Sequence, residues 1–110
     1  MKKSFTAVFL FALCGAQAGI LMADPARAAA HTIVMEGVAF KPETLTIKKG
    51  DSVVWVNRDV FPHTATAGDR AFDSGEIAPT RKWKLVAKKS GRFPYLCTLH
   101  PTMKGALIVK

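Results

Sequence analysis

From residue 31 onward the chain does not space its apolar residues at helical intervals for the length a helix needs. Short alternating segments recur instead, divided by Gly, Asp, Ser and Pro. Residues 31–40, HTIVMEGVAF, predict a strand with a bend near Gly37. In residues 43–51, ETLTIKKGD, Leu45 and Ile47 alternate with Thr44, Thr46 and Lys48 before a turn at Gly50-Asp51. Residues 52–57, SVVWVN, are rich enough in β-branched and aromatic side chains to predict a central strand buried on both faces. HTATA (63–67) reads as a weaker strand and GDRAFDSG (68–75) as irregular chain. RKWKLVA (81–87) alternates cleanly, RFPYLC (92–97) follows a turn, and GALIVK (105–110) forms a last strand. About seven to eight short strands without helices predict an all-β, Greek-key β-sandwich. Pro94 then needs a place where its missing N–H leaves no ladder bond unmade.

Before residue 31 the pattern changes. Met1-Lys2-Lys3 precedes an apolar, uncharged run over residues 5–23, and Ala28 and Ala30 stand in an A-x-A arrangement just before His31. This is the layout of a secretory signal peptide, which predicts cleavage after Ala30, export to the periplasm and a single working domain over residues 31–110. A retained membrane anchor fits less well, because Cys14, Gly15, Ala16, Gln17, Ala18 and Gly19 dilute the apolar run. A lipoprotein signal is disfavoured by Leu13, which stands before Cys14 where a small residue is wanted.

Cysteine usage sharpens this picture. The chain has two cysteines, Cys14 and Cys97, and the first would leave with the leader. A small exported domain would then keep one thiol and no disulfide, in a compartment where an unoccupied thiol is a liability. A bound metal would both occupy the thiol and staple a small core. The charge is basic, +8 at pH 7 over the full chain, and concentrates in RKWKLVAKKSGR, residues 81–92. Export argues against nucleic acid as the partner. Lys82 and Lys84 alternate with Trp83 and Leu85, which suits either a solvated strand face or a surface that steers an acidic protein.

The chemistry lies in CTLHPTM, residues 97–103. Cys97, His100 and Met103 follow at three-residue intervals between two predicted strands, so one connecting loop can aim all three at a single centre. Pro101 stiffens that loop and restricts His100. His63, which follows Phe61-Pro62 after the strongest strand, is the candidate fourth ligand. Zinc makes little use of a thioether, and calcium and magnesium want oxygen. Two His, one Cys and a weak axial Met are instead the ligands of a blue-copper electron-transfer site, with one copper ion per chain. Taken singly, Cys97 and Met103 would be ordinary core residues; together they point to copper. His31, once at a free terminus, offers a second and weaker copper-binding arrangement.

Residues 31–110 resemble the cupredoxins of the plastocyanin and amicyanin family along essentially their whole length. KPETLTIKKGDSVVWVNRDVFPHT is similar to that family's lead into its first His ligand, and GRFPYLCTLHPTMKGALIVK to its closing ligand hairpin. The resemblance implies copper ligands at His63, Cys97, His100 and Met103, a monomer, and a role as a soluble one-electron carrier rather than an enzyme. The short His-to-Met gap and Pro101 are most like amicyanin, which suggests an amine dehydrogenase or a c-type cytochrome as redox partner. Thr64 replaces the Asn usual after the first ligand and is expected to reach toward Thr98. His100 is expected to lie at the surface in an apolar patch with Leu99, Pro101, Phe61 and Pro62. Three other functions compete: a periplasmic copper carrier or store using the same ligands, a Cys-His hydrolase with Cys97 as nucleophile, and an interaction module with an incidental cysteine.

Overall fold

The computed structural model describes residues 27–110. The expected leader therefore lies outside the described residues apart from residues 27–30. Among the described residues there are eight strands and no helices: β1 (Ala30–Met35), β2 (Phe40–Lys41), β3 (Thr44–Ile47), β4 (Ser52–Asn57), β5 (Thr66–Ala67), β6 (Lys82–Val86), β7 (Gly91–Cys97) and β8 (His100–Val109). Two four-stranded sheets, ordered β2-β1-β4-β6 and β3-β8-β7-β5, face each other, so the expected β-sandwich is what forms. Both sheets are mixed. β1 runs parallel to β4 from Ala30↔Ser52 to Met35↔Asn57, and β3 runs parallel to β8, while the other pairs are antiparallel.

The core comes from the inward-facing half of each alternating strand. In β4, Val53, Trp55 and Asn57 are buried, whereas Ser52, Val54 and Val56 are half-covered. The expectation that residues 52–57 bury both faces is thus corrected: among the described residues no layer packs outside this sheet, and only one face is buried. Trp55 sits at the centre, 5.6 Å from the Tyr95 ring, 5.7 Å from Phe72 and 5.4 Å from Trp83. Ile33, Met35, Ile47, Leu107 and Val109 complete the layer between the sheets. Full burial of side chains of this size contributes roughly 1.5–3 kcal/mol each. Trp55 Nε1–H donates to Tyr95 OH at 3.3 Å, and burial pushes the Tyr95 phenol up to about 12. Gly105 pairs with Tyr95, and a Cβ at Gly105 would stand 2.6 Å from that ring, so only glycine fits there.

Two further expectations resolve in detail. The bend near Gly37 is a full reversal: β1 and β2 pair antiparallel, Glu36 N–H donates to Ala39 O at 3.0 Å, and Gly37 and Val38 take φ of 66° and 55°. Pro94 sits inside β7 opposite Ala106, but Ala106 N–H points to Glu43 O on the β3 side and Pro94 O accepts from Gly68 N–H. The proline nitrogen therefore faces away from β8, where β5 runs out beyond Ala67↔Tyr95, and its missing donor is not needed.

Candidate metal centre

At one end of the sandwich, three donors from two segments converge. Cys97 ends β7 and His100 opens β8; the two pair across a two-residue turn, Thr98-Leu99. The next rung joins Leu96 to Lys104, so residues 101–103 are extra on the β8 side. That bulge carries Met103 into the interior, where it is 2% exposed. His63 arrives from the loop after β4. Its backbone is clamped to Ile77 in both directions: His63 N–H to Ile77 O at 3.1 Å, and Ile77 N–H to His63 O at 2.7 Å.

Cys97 Sγ lies 3.7 Å from His63 Nδ1 and 3.7 Å from His100 Nδ1. All three donor atoms fall within 4.8 Å of one another. Metal–nitrogen and metal–sulfur bonds of about 2.0 and 2.3 Å would span such gaps at one ion. His63 and Cys97 are fully buried, while the His100 ring is half-buried and faces the rim. His63, Cys97 and His100 are thus brought together as expected, and Met103 is buried on the strand that His100 opens.

The hydrogen bonds around the donors hold them in place. Thr64 N–H donates to Cys97 Sγ at 3.3 Å. Thr98 N–H donates to Thr64 Oγ1 at 2.9 Å, which ties the two ligand-bearing segments together as expected of Thr64. The line continues inward: the Thr64 and Thr66 hydroxyls lie 3.0 Å apart, and Thr66 O–H donates to Asp73 Oδ1 at 3.0 Å. The Gly75 N–H and the Thr66 hydroxyl hold the Asp73 carboxyl below its ordinary value.

Sequence reasoning missed a fourth element, Asp59. Its Oδ2 lies 2.7 Å from His63 Nε2, and its two oxygens accept from Gly37 N–H at 2.7 Å and Val38 N–H at 2.9 Å. Burial opposes its ionisation, but the Val38 N–H, the His63 ring and the Gly37 N–H together hold the Asp59 carboxyl below its ordinary value. The one available signal was a carboxylate four residues ahead of the candidate ligand in a loop.

Around His100 the surface is apolar. Phe61 is half-exposed with its ring 6.0 Å from that of His100, and Val60, next to Phe61 in the chain, and Leu99, next to His100, are both exposed. Pro101 is exposed as expected, whereas Pro62 is half-buried. On β6, Lys82, Lys84 and Val86 point outward while Trp83 and Leu85 point in, so lysines line an edge strand and discourage pairing with another sheet.

A two-sheet sandwich that gathers two imidazoles and a thiolate at one end defines a small metalloprotein of the soft-ligand, single-ion type. Residues 4–109 match the family model for the cupredoxin-like domain, and the chain belongs to that family. It is 32% identical to amicyanin of Paracoccus denitrificans, covering 77% of this chain and 70% of that protein. Against amicyanin of Paracoccus versutus it is 30% identical over 74% of this chain and spans 65% of that relative's length. Plastocyanin of a Synechococcus species is 29% identical, over 99% of this chain and 94% of that protein. Among solved structures, a Cu(I) form of an amicyanin mutant superposes with a TM-score of 0.69 at 26% identity, covering 81% of this chain and 86% of that one. A Cu-containing nitrite reductase of Thermus scotoductus matches with a TM-score of 0.68 at 30% identity, but this chain covers 22% of it. Family membership and the donor set together make copper the ion of this centre.

Proposed function

We propose that this chain is an exported, periplasmic one-electron carrier in which His63, Cys97, His100 and Met103 hold one copper ion. The observation that carries the reading is the convergence of His63 Nδ1, Cys97 Sγ and His100 Nδ1 in a buried site with a single half-buried edge. Copper bound there supplies one-electron redox chemistry. The chain's own residues do the rest. Cys97 and His63 are closed off from water, Thr64 fixes the thiolate by its N–H, and the Thr64–Thr98 bond keeps the two segments from separating. A scaffold held in this way has little to rearrange when the charge on the ion changes.

Electrons would pass through the His100 edge. The apolar rim of Phe61, Leu99 and Pro101 suits a small, short-lived contact with another redox protein, and a c-type cytochrome or an amine dehydrogenase is the partner class we favour. Residues 1–30 are read as the leader that takes the chain out, leaving residues 31–110 as a monomeric domain without an anchor. A copper carrier would use the same ligands. The buried position of Cys97 and His63 favours retention of the ion over hand-off.

The test is a Cu(II) titration of residues 31–110 followed by visible absorption, beside Cys97→Ser. The expected result is an intense thiolate-to-copper band that saturates at one ion per chain, bleaches reversibly with reductant and is absent from the variant. A colourless native protein would overturn the reading. Transfer of the metal to an apo-acceptor, in place of electron transfer, would move the function to copper delivery.

A further inference from the structure

The two imidazoles of the centre are held very differently. Among the described residues, His100 Nε2 meets no hydrogen-bonding partner, and that ring contacts Phe61, His63 and the Cys97 sulfur. His63 Nε2 meets the Asp59 carboxylate at 2.7 Å. Asp59 is itself immobilised, because Oδ1 accepts from Gly37 N–H and Oδ2 from Val38 N–H, and its own N–H donates to Asn57 Oδ1 at 2.8 Å. Asn57 is fully buried and its Nδ2 reaches Phe61 O at 2.8 Å and Ile77 O at 2.9 Å, closing the loop that leads into His63.

The turn that receives Asp59 is unusual in sequence. Gly37 and Val38 both occupy the left-handed region, which suits glycine but not a β-branched residue. A conformation of this kind persists only where its surroundings demand it. Here the demand is visible: with both residues left-handed, their adjacent N–H groups point to one carboxylate. That carboxylate has a second task on its other side.

We infer that Asp59 is a positioning residue for the metal: its fixed carboxylate sets the tautomer and orientation of His63 and biases the centre toward the higher copper charge. The argument rests on the copper reading above. An imidazole whose Nε2–H is taken by a carboxylate keeps its Nδ1 lone pair free, and Nδ1 is the atom that faces Cys97 Sγ. A carboxylate in that place also strengthens the imidazole as a donor. Its negative charge, drawn into a site where His63 is fully buried, favours Cu(II) over Cu(I).

Two measurements test this. In the metal-free protein, nitrogen NMR of His63 should show the Nε2–H tautomer with a slowly exchanging proton, and Asp59→Ala should speed that exchange at least tenfold. In the copper protein, Asp59→Asn keeps the side-chain shape but removes the charge. It should lower the ratio of Cu(II) to Cu(I) affinity by roughly tenfold or more. For a one-electron couple, tenfold corresponds to a potential higher by about 59 mV. The Asn variant decides the matter even if the Ala variant does not fold. An Asn variant that melts earlier but keeps the native affinity ratio within twofold would assign Asp59 to the turn alone and overturn the inference. So would a native His63 in the Nδ1–H tautomer. Failure of the copper reading would look different, as a native protein without the thiolate-to-copper band.

Discussion

Two carboxylates, at opposite ends of the parallel pair β1·β4, grip a histidine in nearly the same manner. Before the strands, Asp51 accepts from Ala29 N–H at 2.9 Å and Lys48 N–H at 3.0 Å, and lies 3.0 Å from His31 Nε2. Beyond them, Asp59 accepts from two backbone N–H groups and from His63 Nε2. The second nitrogen separates the two. His63 is fully buried with Nδ1 against a sulfur, whereas the His31 side chain is 26% exposed and its ring meets no second ligand among the described residues. An Asp–His pair is therefore a fastening whose chemistry depends on what the free nitrogen faces, and the weaker copper arrangement considered at His31 lacks a soft neighbour.

The sharpest way to break this comparison is to delete each histidine. His63→Ala should abolish the thiolate-to-copper band, while His31→Ala should leave its intensity and one-copper stoichiometry unchanged in the same titration. A finer division runs within the centre itself. His100→Gly opens a gap at the half-buried rim, so added imidazole should restore much of the band; in His63→Gly the gap is buried and added imidazole should restore little of it. Equal rescue of both variants would contradict the buried and exposed assignment.

Acid tests the outer pair. The N–H of Ala29, the His31 ring and the N–H of Lys48 bring the Asp51 carboxyl down from 3.8 to about 2. A carboxyl depressed in the folded state stabilises it above the unfolded value, and this stability is lost as pH falls from about 4 toward 2. Urea midpoints should therefore drop across that window in the native chain and drop less in Asp51→Asn. The smallest effect is expected for His31→Gln measured at neutral pH. A partly exposed pair of this kind is screened by solvent and contributes little, so the variant's urea midpoint should shift only slightly.

The sequence made most of this legible, for identifiable reasons. Alternation marked β4, β6 and β7 because one face of each is covered and the other is not. The close spacing of Cys97 and His100 marked a hairpin whose ends present two donors to one place, although the connecting turn is shorter than expected because β8 already begins at His100. Burial of both faces of residues 52–57 was the wrong inference, because β-branched composition does not reveal whether a further layer lies outside a sheet. Asp59 escaped notice for a different reason. Its meaning depends on the Gly37-Val38 turn, which is distant in sequence and adjacent only once β1 and β4 pair in parallel. Local patterns announce strands and ligand loops; the groups that orient a ligand arise from packing.

The full burial of Cys97 has a consequence for how the centre comes to be filled. A thiol that solvent cannot reach is shielded from oxidants and from other thiols, so the empty protein would resist cross-linking and oxidation to sulfenic acid. The same closure denies an incoming ion any approach from the Cys97 or His63 side. The half-buried His100 ring is the only one of the three clustered donors with a face toward the outside, so it is the donor that an ion arriving from solvent would meet first.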